Sequence, residues 1–316
     1  MNRDSRTLAV GSGKNAEGIT VMLAAVGLVV VLAAVFGTFV VAGGNFTIIS
    51  YALPYEMATI MGAAIGAFVI ANKTKILKGA GKGIMQALKG AQWKPGDYRE
   101  LLVFLYVIAA RMRSGGAAAL EADVEDPNAS SLFKAFPRIL ADRDMVDFVC
   151  DYVRMAGIEK IEGQHLDTAT ERDLERRHHD HAQPQHALQV MADGLPAIGI
   201  VAAVLGVIKT MGSIDQPTEV LGAMIGGALV GTFLGVLLSY CVVGPLASRL
   251  GQVLDDDAKP LSVARTVLLL AFDSVAPEVS VEIGRRQVPV YAAPSFTELE
   301  VACKEKRSLV TARGAA

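Results

Sequence analysis

Four long apolar blocks, separated by polar sequence, set out the plan of the chain. The first runs from about Ile19 to Ala42 without a charge. A polar turn (Gly43, Gly44, Asn45, then Ser50–Pro54) leads to a second block, about Met57–Ala71, rich in small residues and ended abruptly by Lys73, Lys75, Lys78 and Lys82. The third opens near Leu195 and reaches about Met211; after the Gly212–Glu219 connection the fourth runs from about Val220 to Val243. A membrane-spanning helix needs about 20 mostly apolar residues, so the blocks predict two transmembrane hairpins. Between them, Tyr98–Met112 and Ser131–Val153 carry apolar stripes at helical spacing, with Pro137 breaking the second near its start. Gly157–Leu166 and Glu171–Arg177 predict helices leading back to the membrane.

The expected fold is therefore all-α: a polytopic membrane protein with four transmembrane helices and a cytoplasmic helical bundle. Its expected parts are a cytoplasmic N-terminal segment (1–18), a first hairpin (19–72), a helical loop (73–190), a second hairpin (191–243) and a cytoplasmic tail (244–316).

Composition agrees with this plan. Of 316 residues 52% are hydrophobic and only 20% charged, and the charges gather between Lys73 and Arg177 and after Arg249. Soluble domains of this length do not segregate their charge so sharply. The net charge of −2 gives no reason to expect a nucleic-acid partner. Cys150, Cys241 and Cys303 are far apart and read as free thiols. Arg3, Arg6 and Lys14 precede a first block that is too long for a signal-peptide core, so it is expected to be retained. Lys and Arg flank the N-terminus, the stretch after Ala71 and the tail after Gly244. The positive-inside rule then places both termini and the large loop in the cytoplasm, with the chain in the inner membrane and two tight turns outside. Lys209 opposes the rule as one charge near the outer end of the third helix, where it can snorkel to the interface.

Candidate chemistry is sparse. Gly227, Gly231 and Gly235, and likewise Gly62 and Gly66, repeat at four-residue spacing, which puts each set on one helix face and lets backbones approach closely in lipid. No carboxylate is expected deep in a span: Glu56 and Asp193 are placed at ends and Glu219 in the outer turn. A proton relay needs a titratable group at depth, so a partner would have to bring one. Pro196 and Pro245 sit at matching cytoplasmic heights of the third and fourth spans, at positions where a helix tolerates proline. They also suit rigid joints to cytoplasmic helices. Gly11–Lys14 and Gly79–Gly83 resemble phosphate loops but lack the required first Gly and the Ser or Thr after Lys. His178, His179, His181 and His186 have no catalytic ligand spacing, so neither metal nor cofactor is expected. Nothing clusters as an enzyme active site would.

Asp193–Ile214 (DGLPAIGIVAAVLGVIKTMGSI) and Leu221–Ala247 (LGAMIGGALVGTFLGVLLSYCVVGPLA) closely resemble the MotA family of flagellar stator subunits. Ala34–Gly44, Ile65–Asn72, Arg113–Glu121, Ala135–Asp142, Ala276–Arg286 and Pro294–Glu300 extend the likeness over nearly the whole chain. The resemblance implies a ring of copies in the membrane lipid around a pair of single-span MotB partners. Those partners supply the membrane carboxylate and an anchor to peptidoglycan. Ion flow then drives the ring, and the loop pushes on the rotor protein FliG. Arg113 and Glu121 match the family's rotor-contact charges, and Pro196 and Pro245 its functional prolines. Sodium-driven relatives carry Thr where Ala203 stands, beside the matching Thr232, so the resemblance implies protons here, with a sodium-driven stator as the alternative. An energiser of the ExbB/TolQ type shares the channel helices but has three spans, against the four expected here. A solute transporter would show inverted repeats with broken helices.

Overall fold

The structure, a computed structural model, describes residues 22–158 and 163–311. The cationic residues of the N-terminal segment, the Gly11–Lys14 loop and residues 159–162 of the expected Gly157–Leu166 helix lie outside them. Among the described residues all regular structure is helical.

Helix α1 (Met22–Val41) is uncharged throughout. Gly43, at φ 82°, turns the chain, and Asn45 caps α2 (Phe46–Ala71) by accepting a hydrogen bond from the Thr47 N–H at 3.0 Å. Helix α3 (Thr74–Lys89) buries Ala80, Gly83 and Ala87 and leaves its lysines outside. Then come α4 (Pro95–Gly115), a 3-10 turn (Ala117–Leu120), α5 (Glu121–Glu125), α6 (Ser131–Lys134), α7 (Pro137–Ala141) and α8 (Arg143–Ile158). The expected Ser131–Val153 helix is thus three helices. Pro137 starts α7 at a position where its missing N–H costs nothing. Helices α9 (Gly163–Met211), α10 (Thr218–Leu238) and α11 (Gly244–Phe272) are followed by α12 (Pro277–Arg285), α13 (Phe296–Glu305) and the short α14 (Ser308–Thr311).

The chain folds into two compact units whose limits fall inside α9 and α11: Met1–Gly90 with His181–Leu254, and Ala91–Asp180 with Asp255–Ala316. Four helices are long and apolar enough to span a membrane, those beginning at Met22, Phe46, Gln164 and Thr218. In the first unit Ile60 and Ala64 of α2, Leu195 and Ala202 of α9, and Val230 and Leu234 of α10 form the apolar centre. Phe36 of α1 packs edge-on against Phe46 and Phe233. Much apolar surface remains outside, including Val201, Leu205 and Ile208 of α9. In water such a face would be a liability; in lipid it is the expected solvent contact.

The second unit has a different logic. Tyr98–Met112 reads as a one-sided stripe, yet Leu101–Ala109 of α4 is buried on every side. A helix apolar all round belongs at the centre of its unit, and α4 is surrounded by Phe133, Phe136, Phe148, Val263, Val267 and Val281. Burial pushes the thiols of Cys150 and Cys303 up to about 12. Because the thiolate is the reactive form, a soluble maleimide at neutral pH should label neither residue in the folded protein and both after denaturation. Labelling followed by mass mapping checks this.

Candidate functional site

Of the expected pathway and packing residues, Ala203, Gly231 and Gly235 lie where α9 and α10 touch. Gly199 faces Gly231 and Gly235 so closely that a Cβ added to it would lie 2.8 Å from the Gly231 carbonyl oxygen and 3.0 Å from the Gly235 Cα. A Cβ on Gly231 would lie 3.1 Å from the Ala202 Cβ and 3.2 Å from the Ala203 nitrogen. Ala203 therefore sits against the residue next to Thr232, and both are half-buried. A Cβ on Gly227 would lie 3.7 Å from the Ala52 Cβ of α2. Gly62 and Gly66 differ: among the described residues, the backbone of their own helix apart, nothing comes within 4 Å of a Cβ at either, so their faces are open.

Neither Pro196 nor Pro245 stops the helical run of its span. Pro196 lies inside the unbroken 49-residue α9, and Pro245 is the second residue of α11, to which α10 connects through a π-helical turn, Ser239–Val243. Proline cannot donate to the carbonyl four residues back, here that of Cys241. The backbone widens instead, and the Gly244 N–H bonds to the Ser239 carbonyl five residues back. Membrane helices absorb prolines through such local adjustments, which is why the helices run on where a boundary is expected.

Glu56 requires a larger correction. The polar stretch Ser50–Pro54 suggests a turn, with Glu56 at a span end, but α2 starts at Phe46 and takes Pro54 into its interior. Glu56 is thus the eleventh of 26 helical residues. Its side chain points at the α9–α10 contact: a Cβ on Gly231 would meet its Oε2 at 2.7 Å. An apolar block allowed to contain one acid and one proline would have extended from Phe46 and exposed this residue.

In the second unit Arg113 lies in the last turn of α4 and Glu121 begins α5, and both are exposed. Each is two residues from a buried partner. Arg111 Nη1 contacts Asp123 Oδ2 at 2.6 Å, with side-chain exposures of only 3% and 6%. Ser130 Oγ donates to Asp123 Oδ1 at 2.5 Å, and Arg111 Nε and Nη2 donate to the Leu309 carbonyl at 2.9 and 2.7 Å. This network pins both ends of the Arg113–Glu121 loop. Sequence spacing gave no sign of it, since Arg111 and Arg113 look alike on paper. Around the expected histidine cluster, His178 lies 3.6 Å from Asp255, and no metal-type grouping of His, Cys, Asp or Glu occurs among the described residues.

Comparison with known proteins agrees with this arrangement. Residues 25–116 match the model for the motility protein A N-terminal region, and residues 141–260 the model for the MotA/TolQ/ExbB proton channel family. The chain is 37% identical to motility protein A of Escherichia coli K12, covering 88% of this chain and 94% of that protein. It is 38% identical to motility protein A of Salmonella typhimurium over the same shares, and 29% identical to chemotaxis protein LafT of Vibrio parahaemolyticus over 87% and 95%. Among solved structures, C. jejuni MotAB aligns with a TM-score of 0.66 at 18% identity over 85% of this chain and 96% of that one. The flagellar MotAB stator complex from Bacillus subtilis aligns at 0.63 with 22% identity over 84% and 96%. The fold is theirs, and by sequence the chain belongs to the motility protein A family of the MotA/TolQ/ExbB proton channels.

Proposed function

We propose that the chain is an ion-conducting stator subunit of a flagellar motor, which couples proton flow across the inner membrane to torque on the rotor. The observation that carries this reading is the α9–α10 pair: closely packed through Gly199, Gly231 and Gly235, with Ala203 set against Gly231, the neighbour of Thr232, Pro196 inside α9, and Pro245 in α11 just beyond the π-helical turn that follows α10. Among the described residues the pair holds no acid between Leu195 and Met211, and in α10 only Glu219 in its first turn. A single-span, peptidoglycan-anchored partner of the MotB type would supply the principal carboxylate. Several copies would ring that partner, using open faces such as Gly62 and Gly66 for contacts between copies or with lipid. Both termini and the 73–190 loop would be cytoplasmic, and exposed Arg113 and Glu121 would meet a rotor protein of the FliG type. On this reading the chain would divide into a segment 1–18, hairpins 19–72 and 191–243, a loop 73–190 and a tail 244–316.

Sodium requires a shell of oxygen ligands, and Ala203 offers none beyond its backbone. The test is to express the chain with such a partner in a non-motile stator-deletion strain. Swimming should be restored, should survive replacement of sodium by potassium, and should stop on adding a protonophore. Swimming lost on sodium removal alone would overturn the choice of ion; no swimming with both subunits in the membrane would overturn the stator reading.

A further inference from the structure

We propose that Glu56 is a second carboxylate of the ion path, carried by this chain itself, which takes up and hands on protons beside Gly231. The inference rests on the stator reading and adds to it, since that reading draws the carboxylate from the partner.

Three observations converge on it. The first is depth. Glu56 is the eleventh of the 26 residues of α2, so at 1.5 Å per residue it lies within about 4 Å of the helix midpoint. An acid at such depth is costly to insert, and such residues mark ion paths and proton relays. The second is direction. The side chain is half-buried and its Oε2 faces Gly231, the point where Ala202 and Ala203 of α9 meet α10. Gly231 leaves the space the carboxylate occupies, since any Cβ there would stand 2.7 Å from Oε2. The third is the lack of a structural use: among the described residues no hydrogen bond or ion pair reaches this carboxylate, so it does not tie α2 to its neighbours. Pro54, two residues earlier inside the same helix, also leaves the Ser50 carbonyl without its helical donor. The stretch of α2 leading to Glu56 is therefore more polar than a purely packing helix needs.

The step itself is simple proton exchange. Oε2 forms an O–H bond with a proton from a hydronium ion in the path, whose own O–H bond breaks to leave water. The same bond breaks as the proton passes to water or to the partner's carboxylate on the other side, with no change of oxidation state.

Glu56→Gln keeps the shape and hydrogen-bonding capacity but cannot titrate, whereas Glu56→Asp keeps the acid. With each variant co-expressed with the MotB-type partner, proton flux into energised vesicles and swimming speed are measured at matched membrane levels. The Gln variant should lose flux by on the order of a hundredfold, the low end of what a positioned proton carrier contributes, and the Asp variant should retain most of it. Gln equal to wild type would overturn the proposal, because a residue needed only for packing tolerates that change. If the wild-type complex carried no protons, the stator reading would fail instead. Should the Gln variant not accumulate, Glu56→Cys in a Cys241→Ser background serves: a thiol reagent bearing a carboxylate should restore flux and an uncharged one of the same length should not. Equal restoration, or none from either reagent, would again overturn the proposal.

Discussion

Replacing Arg111 or Asp123 by Ala should destabilise the second unit by about 3–5 kcal/mol, the cost of leaving one charge of a buried pair without its partner. The pair is almost fully enclosed, and every strong acceptor near Arg111 is already committed: Asp123 at 2.6 Å and the Leu309 carbonyl at 2.9 and 2.7 Å. With Asp123 gone, the guanidinium keeps only that carbonyl. With Arg111 gone, the carboxylate keeps only the Ser130 hydroxyl, which also caps α6 by accepting from the Leu132 and Phe133 N–H groups. Trp93 is the single tryptophan. It is buried in this unit, with its indole N–H on Asp142 at 3.1 Å and the Arg138 guanidinium 4.4 Å from its ring centroid, so its fluorescence reports unfolding by denaturant. The double replacement Arg111→Met with Asp123→Leu should recover most of the loss, because apolar residues of similar volume often match or exceed a buried ion pair. A single replacement that left the midpoint unchanged would show that the pair is not closed in solution. Motility gives a second readout. The pair holds the chain two residues from Arg113 on one side and two from Glu121 on the other, so a single replacement should impair swimming even below the temperature at which the unit unfolds.

That network marks the limit of what the sequence made legible. Long uncharged runs announce membrane helices because lipid leaves no alternative for backbone polar groups, and the described residues of the four apolar blocks, Ala42 excepted, lie within spanning helices. The boundaries were less legible wherever proline intervened. Pro54, Pro196 and Pro245 each suggest a helix end by the rules of soluble helices, yet α2 and α9 run through theirs and the chain passes from α10 into α11 by a π-helical turn. The misplaced start of α2 then hid Glu56, since an acid outside a span asks for no explanation and one inside it does. Tyr98–Met112 was legible as a helix but not as the centre of its unit, because its charged residues fall near the two ends and suggest an exposed face. Arg111 and Asp123 gave no signal at all: only the fold distinguishes them from the exposed charges two positions away. Ala203 and Thr232, by contrast, were legible as a pair through resemblance, and the structure brings their surroundings together through Gly231.

Gly235→Val should disable the motor more completely than any change to the open glycines. A Cβ at 235 would stand 2.7 Å from the Leu195 carbonyl oxygen and 2.8 Å from the Gly199 Cα. Both are backbone atoms of α9, so no rotamer can yield and the two helices must part. Overpacking in a filled interior typically costs about 1–3 kcal/mol. The burden is heavier here because helices in lipid are held together by close van der Waals contact rather than by exclusion of water. The displaced carbonyl, moreover, belongs to the peptide joining Leu195 to Pro196, so the same change disturbs the proline joint that α9 carries. Gly199→Val should behave alike, since its Cβ would meet the Gly231 carbonyl oxygen at 2.8 Å. Gly62→Ala and Gly66→Ala meet nothing within 4 Å among the described residues beyond their own helix backbone, and Ala is favoured over Gly in a helix by roughly 1 kcal/mol. These two should leave the thermal midpoint of the detergent-solubilised chain unchanged or slightly raised, while Gly235→Val lowers it. If Gly62→Ala nevertheless abolished swimming with the midpoint intact, the face it sits on would be a contact between subunits, and cross-linking through cysteines placed beside it would trap that contact. If instead Gly235→Val swam as wild type, the close approach of α9 and α10 would not exist in the working motor.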